Sequence, residues 1–353
     1  MMPRRDSLGR RAFTLVEIML ALGLLSLLMI AVVNLLDTSL EIWDRTESQR
    51  DLVEVGSSAV DLLARDLSSI EPGPRGDLLS EWTMWDTDRD NVAGLSCVRL
   101  RMVRRPSLAE LHRLGAPEDA DLVEVCWALL PDRSAPEKEA RSVGVLYRGE
   151  RWVGDDASLS FFDDGFFNAA GKAPAGTLNL VTGGVLWAQF SFATQTSIVN
   201  DGWSFGDELE DCSTSWDAWN RARPDLELCA LNAAASGMPE AKDLPLMPRR
   251  IRIELEIERP VELKRRTRLA HAAETELPSI RVEDPDRLPE PGTMILVEEE
   301  WMEILSISGQ NVSVKRGQRG TRKTNHDPGV VIHHGWRISR AIPIPLYRED
   351  WNL

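Results

Sequence analysis

The sequence predicts an α+β protein: one long N-terminal helix packed on an antiparallel β-sheet head, with a small β module inserted near the end. Three observations predict it. An unbroken apolar run, Phe13 to Leu36, continues into a helical stripe that reaches Ile70. Beyond Pro74 the apolar residues alternate with polar ones, the period of a half-buried strand. Between His271 and Gly335 the composition changes, and prolines open a stretch of short apolar runs.

The helix begins in apolar sequence. Phe13–Leu36 reads FTLVEIMLALGLLSLLMIAVVNLL, roughly 36 Å at about 1.5 Å per residue, enough for a bilayer core of about 30 Å. Arg4, Arg5, Arg10 and Arg11 precede it against Asp6 alone, so the N-terminus is expected in the cytoplasm and the rest outside. The run is too long for the apolar region of a secretory signal peptide, and Asn34-Leu35-Leu36-Asp37 is no small-residue exit. Glu17 stands out, because an ionisable side chain in lipid costs on the order of a few kcal/mol and marks function by default.

Helical spacing then continues. Val53, Gly56, Val60, Leu63, Leu67 and Ile70 step by three or four, widened by Leu52, Val55, Ala59 and Leu62. Arg65 and Asp66 fall off that stripe, and Pro72-Gly73-Pro74 ends the helix. A single helix would be roughly 87 Å long; two helices broken near Leu36-Asp37 are the alternative.

In the head, Val98, Leu100 and Met102 share a face, as do Val123, Val125, Trp127 and Leu129, and then Leu186, Ala188, Phe190 and Phe192. Ile251 to Glu258 alternates apolar with charged. These read as an antiparallel sheet with one face buried against the helix. The module's runs are Met294–Val297, Trp301–Leu305, Val312–Val314 and Val330–Ile332, with a hairpin turn at Ser308-Gly309-Gln310-Asn311.

Charge and motifs exclude other classes. Lys+Arg 41 against Asp+Glu 56 gives a net charge of −15, so no nucleic-acid partner is expected, since such binding needs cation-rich surface. No G-x-S-x-G, H-E-x-x-H, P-loop or G-x-G-x-x-G occurs, and neither enzymatic activity nor a cofactor is expected. Asp86, Asp88, Asp90 and Asn91 read like the start of a calcium loop, but Cys97 stands where the closing Glu belongs. They are read as a solvated acidic loop. His326, His333 and His334 are read as a turn histidine and a surface pair rather than as metal ligands with Asp327. Lys264, Arg265, Arg266 and Arg268 are read as a solvated strand end, and Trp203, Trp216 and Trp219 as core. Cys212 and Cys229 share one loop region in a compartment that this topology makes oxidising, and are expected to pair. Cys97 and Cys126 fall in strands and are expected as buried thiols or a second pair.

The junction Arg10-Arg11-Ala12-Phe13-Thr14-Leu15-Val16-Glu17 resembles the class III leader of type IV pilins and pseudopilins, a basic leader followed by G|FTLxE. Ala12 departs from the usual Gly. The resemblance implies cleavage between Ala12 and Phe13 by a prepilin peptidase, and methylation of the new Phe13 amine. It also implies an assembly role for Glu17, whose carboxylate would neutralise a neighbouring subunit's amine within the apolar layer; either charge alone is expensive there. Further on, Leu62-Leu63-Ala64-Arg65-Asp66-Leu67 is similar to an L-x-R-D-L motif, and Val145-Leu146-Tyr147-Arg148 to an L-x-R strand. Gly184-Val185 leads a strand toward Trp216 and Trp219, and Leu246-Met247-Pro248-Arg249-Arg250-Ile251 leads another. In that order these pieces resemble the J-type minor pseudopilin of type II secretion, over roughly residues 13–270.

What the resemblance implies is a non-enzymatic subunit of the tip or initiating complex of a pseudopilus. It would be single-pass in the cytoplasmic membrane with its head in the periplasm. Its partners would be other pseudopilins, the peptidase and the inner-membrane assembly platform. A minor pilin of a type IV pilus and a membrane-tethered binding domain remain the alternatives. The expected organisation is a leader at 1–12, a transmembrane half-helix at 13–36, an amphipathic half at 37–70 and a head at 71–270. The inserted module covers 271–335, and a closing strand and tail 336–353. Within the insert, Val314-Lys315-Arg316-Gly317-Gln318-Arg319-Gly320-Thr321, with His326 and Gly329, resembles a β module of phage tail structural proteins.

Overall fold

The computed structural model describes residues 15–84, 96–132, 143–167, 173–193, 215–219, 245, 247–248, 250–258 and 266–344. The chain divides into two compact units, Met1–Asp51 and Leu52–Leu353. The protein is α+β, with an apolar N-terminal helix and large antiparallel sheets.

Helix α1 is Leu15–Ser68, assigned without a break at Leu36–Asp37. In the first unit, Leu15–Leu40 is long and apolar enough to cross a membrane. Hydroxyls in this stretch find partners within the helix. Ser26 donates to the Leu22 carbonyl at 2.8 Å, Thr38 to Asn34 at 2.8 Å and Ser39 to Leu35 at 2.7 Å, so none of these polar groups needs water.

In the second unit α1 buries Gly56, Ala59, Val60, Leu63, Ala64 and Leu67. Val53 and Val55, expected on the buried stripe, are exposed. The last turn tightens, Ser69 and Ile70 donating to Asp66 and Leu67, and Pro72 follows, which cannot continue a helix.

Among the described residues the head sheet has eight strands. β1 (Leu78–Met84), β2 (Ser96–Arg104), β3 (Val123–Pro131), β4 (Gly144–Trp152) and β5 (Asn179–Ala193) form a meander. β6 (Trp216–Asp217) pairs outside β1, while β7 (Arg250–Ile257) pairs with β5. A short helix, α2 (Leu108–Arg113), follows β2 and opens on a capping box between Ser107 and Glu110. The face toward α1 carries Val98, Leu100, Met102, Val125, Trp127, Leu129, Ala188, Phe190, Ile253 and Leu255 in one core. Leu186 does not share that face. A register shift between Val185 and Trp187 breaks the period of two, and Leu186 packs with Trp187, Leu296 and Trp301. The opposite face is covered as well: Phe161, Phe166 and Phe167 pack over Cys126 and Ala128.

The segment after β7 is a closed barrel. β8 (Ser279–Arg281), β9 (Met294–Val297), β10 (Glu300–Ser308), β11 (Asn311–Gln318) and β12 (Ile332–His333) form a sheet in the order β12-β9-β10-β11-β8. Its two edges are joined by the stretch at 266–273. On one side Leu269 donates to Val330 and receives from Gly329; on the other Ala270 donates to Arg281 and Arg268 accepts from Glu283. Leu269 is fully buried in the barrel core with Val282, Ile295, Val297, Met302, Ile304, Val312 and Ile332. An expected start at residue 271 therefore falls inside the barrel. The β10–β11 hairpin closes on Gly309, whose φ of 56° is what a primed two-residue turn needs at its first central position. β13 (Trp336–Pro343) then returns to the head and pairs with β7 along its length, Trp336 opposite Ile257.

Candidate functional site

The residues with the most specific functional pattern lie at the start of α1. Glu17 is in its first turn, beside Leu15 at 76%, Val16 at 74% and Met19 at 66% exposure. Every described side chain from Leu15 to Leu40 is exposed. This is an apolar cylinder with one carboxylate near each end, Glu17 and Asp37, and water is a poor solvent for it. Ala12 and Phe13 lie outside the described residues, as do Cys212, Cys229, Asp86, Asp88 and Asp90.

The head end of α1 is fixed by a buried ion network. Asp66 is 1% exposed, although its helical position falls beside the apolar stripe. It accepts from Trp127 Nε1 at 2.9 Å, Arg148 Nε at 2.8 Å and Arg148 Nη2 at 2.9 Å, and Arg104 Nε lies 3.0 Å away. Arg148 also reaches Glu150 at 2.9 Å, and Arg104 reaches Glu110 at 2.9 Å. Burial pulls the Arg148 guanidinium down, but its bond to Asp66 raises it overall. The bond from Arg104 holds the Glu110 carboxyl down at about 2, helped by the Ser107 cap.

A second network lies in the barrel, around Glu300, which is 0% exposed. Its carboxylate accepts from Arg316 at 3.0 and 2.6 Å, from the Gly317 and Thr324 amides at 3.0 Å, and faces His326 Nε2 at 3.0 Å. Burial pushes this carboxyl up, yet the bonds from His326, Arg316 and Thr324 outweigh it and hold the group at about 2. Arg316 and Gly317 of the 314–321 run thus wrap one buried acid together with the Thr324 amide, and Thr321 Oγ accepts from the Trp301 amide at 3.0 Å.

A third cluster joins barrel to head. The Arg319 guanidinium lies 4.0 Å from the Trp301 ring centre and 4.9 Å from that of Trp187, and donates to Glu256 at 2.7 Å. Burial lowers the arginine's pKa and raises that of the glutamate. Glu258 holds the neck: Arg266 pairs with it, and His333 Nδ1 lies 2.8 Å from its Oε2.

These placements correct several expectations. Arg266 is 8% exposed rather than solvated, and His326 and His333, at 1% and 2%, are neither a turn nor a surface histidine. The two histidines engage different carboxylates, and among the described residues no group of three His, Cys, Asp or Glu side chains could hold a metal ion. Trp216 is buried and Trp219 packs against the core. Cys97 and Cys126 are free, and burial pushes both thiols up to about 12, which leaves them poor nucleophiles at neutral pH.

Pattern reading missed Asp66, Glu300 and Arg319. Asp66 and Arg319 lie in stretches that the sequence singles out, 62–67 and 314–321, and Arg148 ends a third, 145–148; nothing marked Glu300. Comparison of the chain with family models, with curated proteins and with solved structures gives no match.

Proposed function

We propose that this chain is a minor pseudopilin: a non-enzymatic filament subunit held in the cytoplasmic membrane by α1, with its head on the outer side. The reading rests on the sequence Arg10 to Glu17, which resembles a prepilin processing junction and leads directly into an exposed apolar helix. Two further features support it. The helix continues into a stretch buried on an antiparallel sheet. Its Asp66 binds Arg148 of the head, and the two lie in the stretches 62–67 and 145–148 that resemble the family's motifs.

In this reading the peptidase cuts at Ala12–Phe13, and Glu17 meets a neighbouring subunit's methylated Phe13 amine in the membrane. A carboxylate and an ammonium that are each costly in lipid offset one another when paired. Work for secretion comes from a partner ATPase. The same parts would serve a minor pilin of a type IV pilus, and the identity of co-purifying subunits separates the two.

The test is mass spectrometry of the N-terminal peptide from membrane-purified protein. The expected product begins at methylated Phe13; an intact Met1 or Met2 leader overturns the reading. Glu17→Ala should insert normally and lose partner subunits on purification. Equal partner recovery by mutant and wild type would remove the assembly role.

A further inference from the structure

His326 sits between two carboxylates, one at each ring nitrogen. Nδ1 is 2.8 Å from Glu298 Oε2 and Nε2 is 3.0 Å from Glu300 Oε2. An ionised carboxylate only accepts, and a neutral imidazole has one donor; both contacts are satisfied together only by the imidazolium. Arg316 already saturates the other side of Glu300, and Thr324 Oγ lies 3.4 Å from Nε2. The charged groups that face His326 are thus Glu298 from the β9–β10 turn and Glu300 from β10, with Arg316 of β11 behind the latter.

The two glutamates are not equivalent. Glu300 is completely buried and fixed in place by four other donors, so a neutral ring keeps its one proton on Nε2 rather than set a lone pair against that immobile anion. Glu298 has 30% of its side chain exposed, and its backbone sits in the left-handed region at φ 51°, a conformation that a non-glycine residue holds only when its surroundings impose it. Loss of the imidazolium proton therefore acts on Glu298.

We infer that His326 is a proton-operated clamp on the β9–β10 turn: closed as imidazolium, and released from Glu298 when neutral. The turn leads directly into Trp301, and the backbone around His326 connects through Thr321 to Arg319, so the clamp bears on two of the barrel residues that dock against the head. Burial pulls the His326 pKa down, but the bonds to Glu298 and Glu300 outweigh it and raise the pKa above the ordinary 6.5. The stabilisation is complete below that unfolded value and disappears as pH rises through the folded one. This inference uses the barrel alone and does not depend on the filament reading.

The experiment is hydrogen–deuterium exchange of the full chain in detergent at pH 6 and pH 9, corrected for the intrinsic chemical rate and read on the peptide covering 294–303. Protection should fall by about tenfold at the higher pH, the size of one charge-assisted hydrogen bond. Glu298→Gln, at a partly exposed position and able to pair with neutral imidazole, should abolish the pH dependence while leaving the barrel folded. Unchanged wild-type protection between the two pH values overturns the clamp, and so does a Glu298→Gln chain that keeps the wild-type dependence.

Discussion

Asp66 and Arg148, 82 residues apart in the chain, meet through two parallel hydrogen bonds of 2.8 and 2.9 Å. The pair is the point at which the last turn of α1 is fixed to the sheet, and Trp127 closes it from the neighbouring strand. Removing the acid leaves Arg104 and Arg148 buried without their shared anion. Asp66→Ala should therefore cost about 3–5 kcal/mol, measured by urea unfolding followed by tryptophan fluorescence. Asp66→Asn keeps an acceptor for Trp127 and should cost less.

Gly56 gives α1 its close approach to the last strand. A Cβ there would lie 2.2 Å from Ile338 Cδ1 and 3.2 Å from Ile257 Cδ1. Gly56→Ala gains about 1 kcal/mol of helix propensity against about 1–3 kcal/mol of overpacking. Ile338→Val removes the clashing Cδ1. A double-mutant cycle should show the pair coupled favourably by about 1 kcal/mol or more; additive effects would mean that the helix simply shifts away.

These two cases show what was legible. The amphipathic face from Gly56 to Leu67 and the alternating faces of β2, β3 and β7 follow from period alone, because burial on one side imposes it. What period cannot express is a polar residue turned inward. Spacing put Asp66 off the buried stripe and gave β7 one charged face, yet Asp66 is 1% exposed and Glu256 3% exposed and bound to Arg319. Each is buried by a partner distant in sequence, and distance in sequence is what a single chain does not show. Leu186 failed for a different reason, a bulge that reverses the alternation midway along β5. At the N-terminal segment the apolar helix is legible from its composition, but the role of Glu17 depends on a second chain.

Arg319 should carry the docking of barrel on head. Its cation rests against two indoles and its partner Glu256 is buried, so truncation removes a cation–π contact worth up to about 2 kcal/mol and leaves a buried acid with weaker support, the Gly335 amide at 3.3 Å. Arg319→Ala should leave both sheets folded and raise amide exchange at 184–189 and 299–303. Arg319→Lys should not restore protection, since an ammonium lacks the planar fork that stacks on indole.

Glu300 should dominate the acid limb of barrel stability. Its carboxyl, held at about 2 against an ordinary 4.5, contributes fully above 4.5 and loses that contribution as pH falls toward 2. The amount is on the order of 3 kcal/mol. Urea midpoints at pH 7, 4 and 2.5 should fall steeply in wild type. In Glu300→Gln they should start lower and fall less, because the titrating group is gone.

Among the described residues β13 is the last strand and α1 the first element, yet Ile338 fills the space over Gly56 and Arg340 pairs with Asp61. Synthesis thus delivers the two halves of one contact 279 residues apart. Until Trp336–Pro343 emerges, β7 has an open hydrogen-bonding edge and the buried side of α1 lacks part of its cover, a state in which nascent chains are prone to wrong pairing. The whole barrel must be made during that wait, so the pace at which it folds sets how long the head stays unsealed.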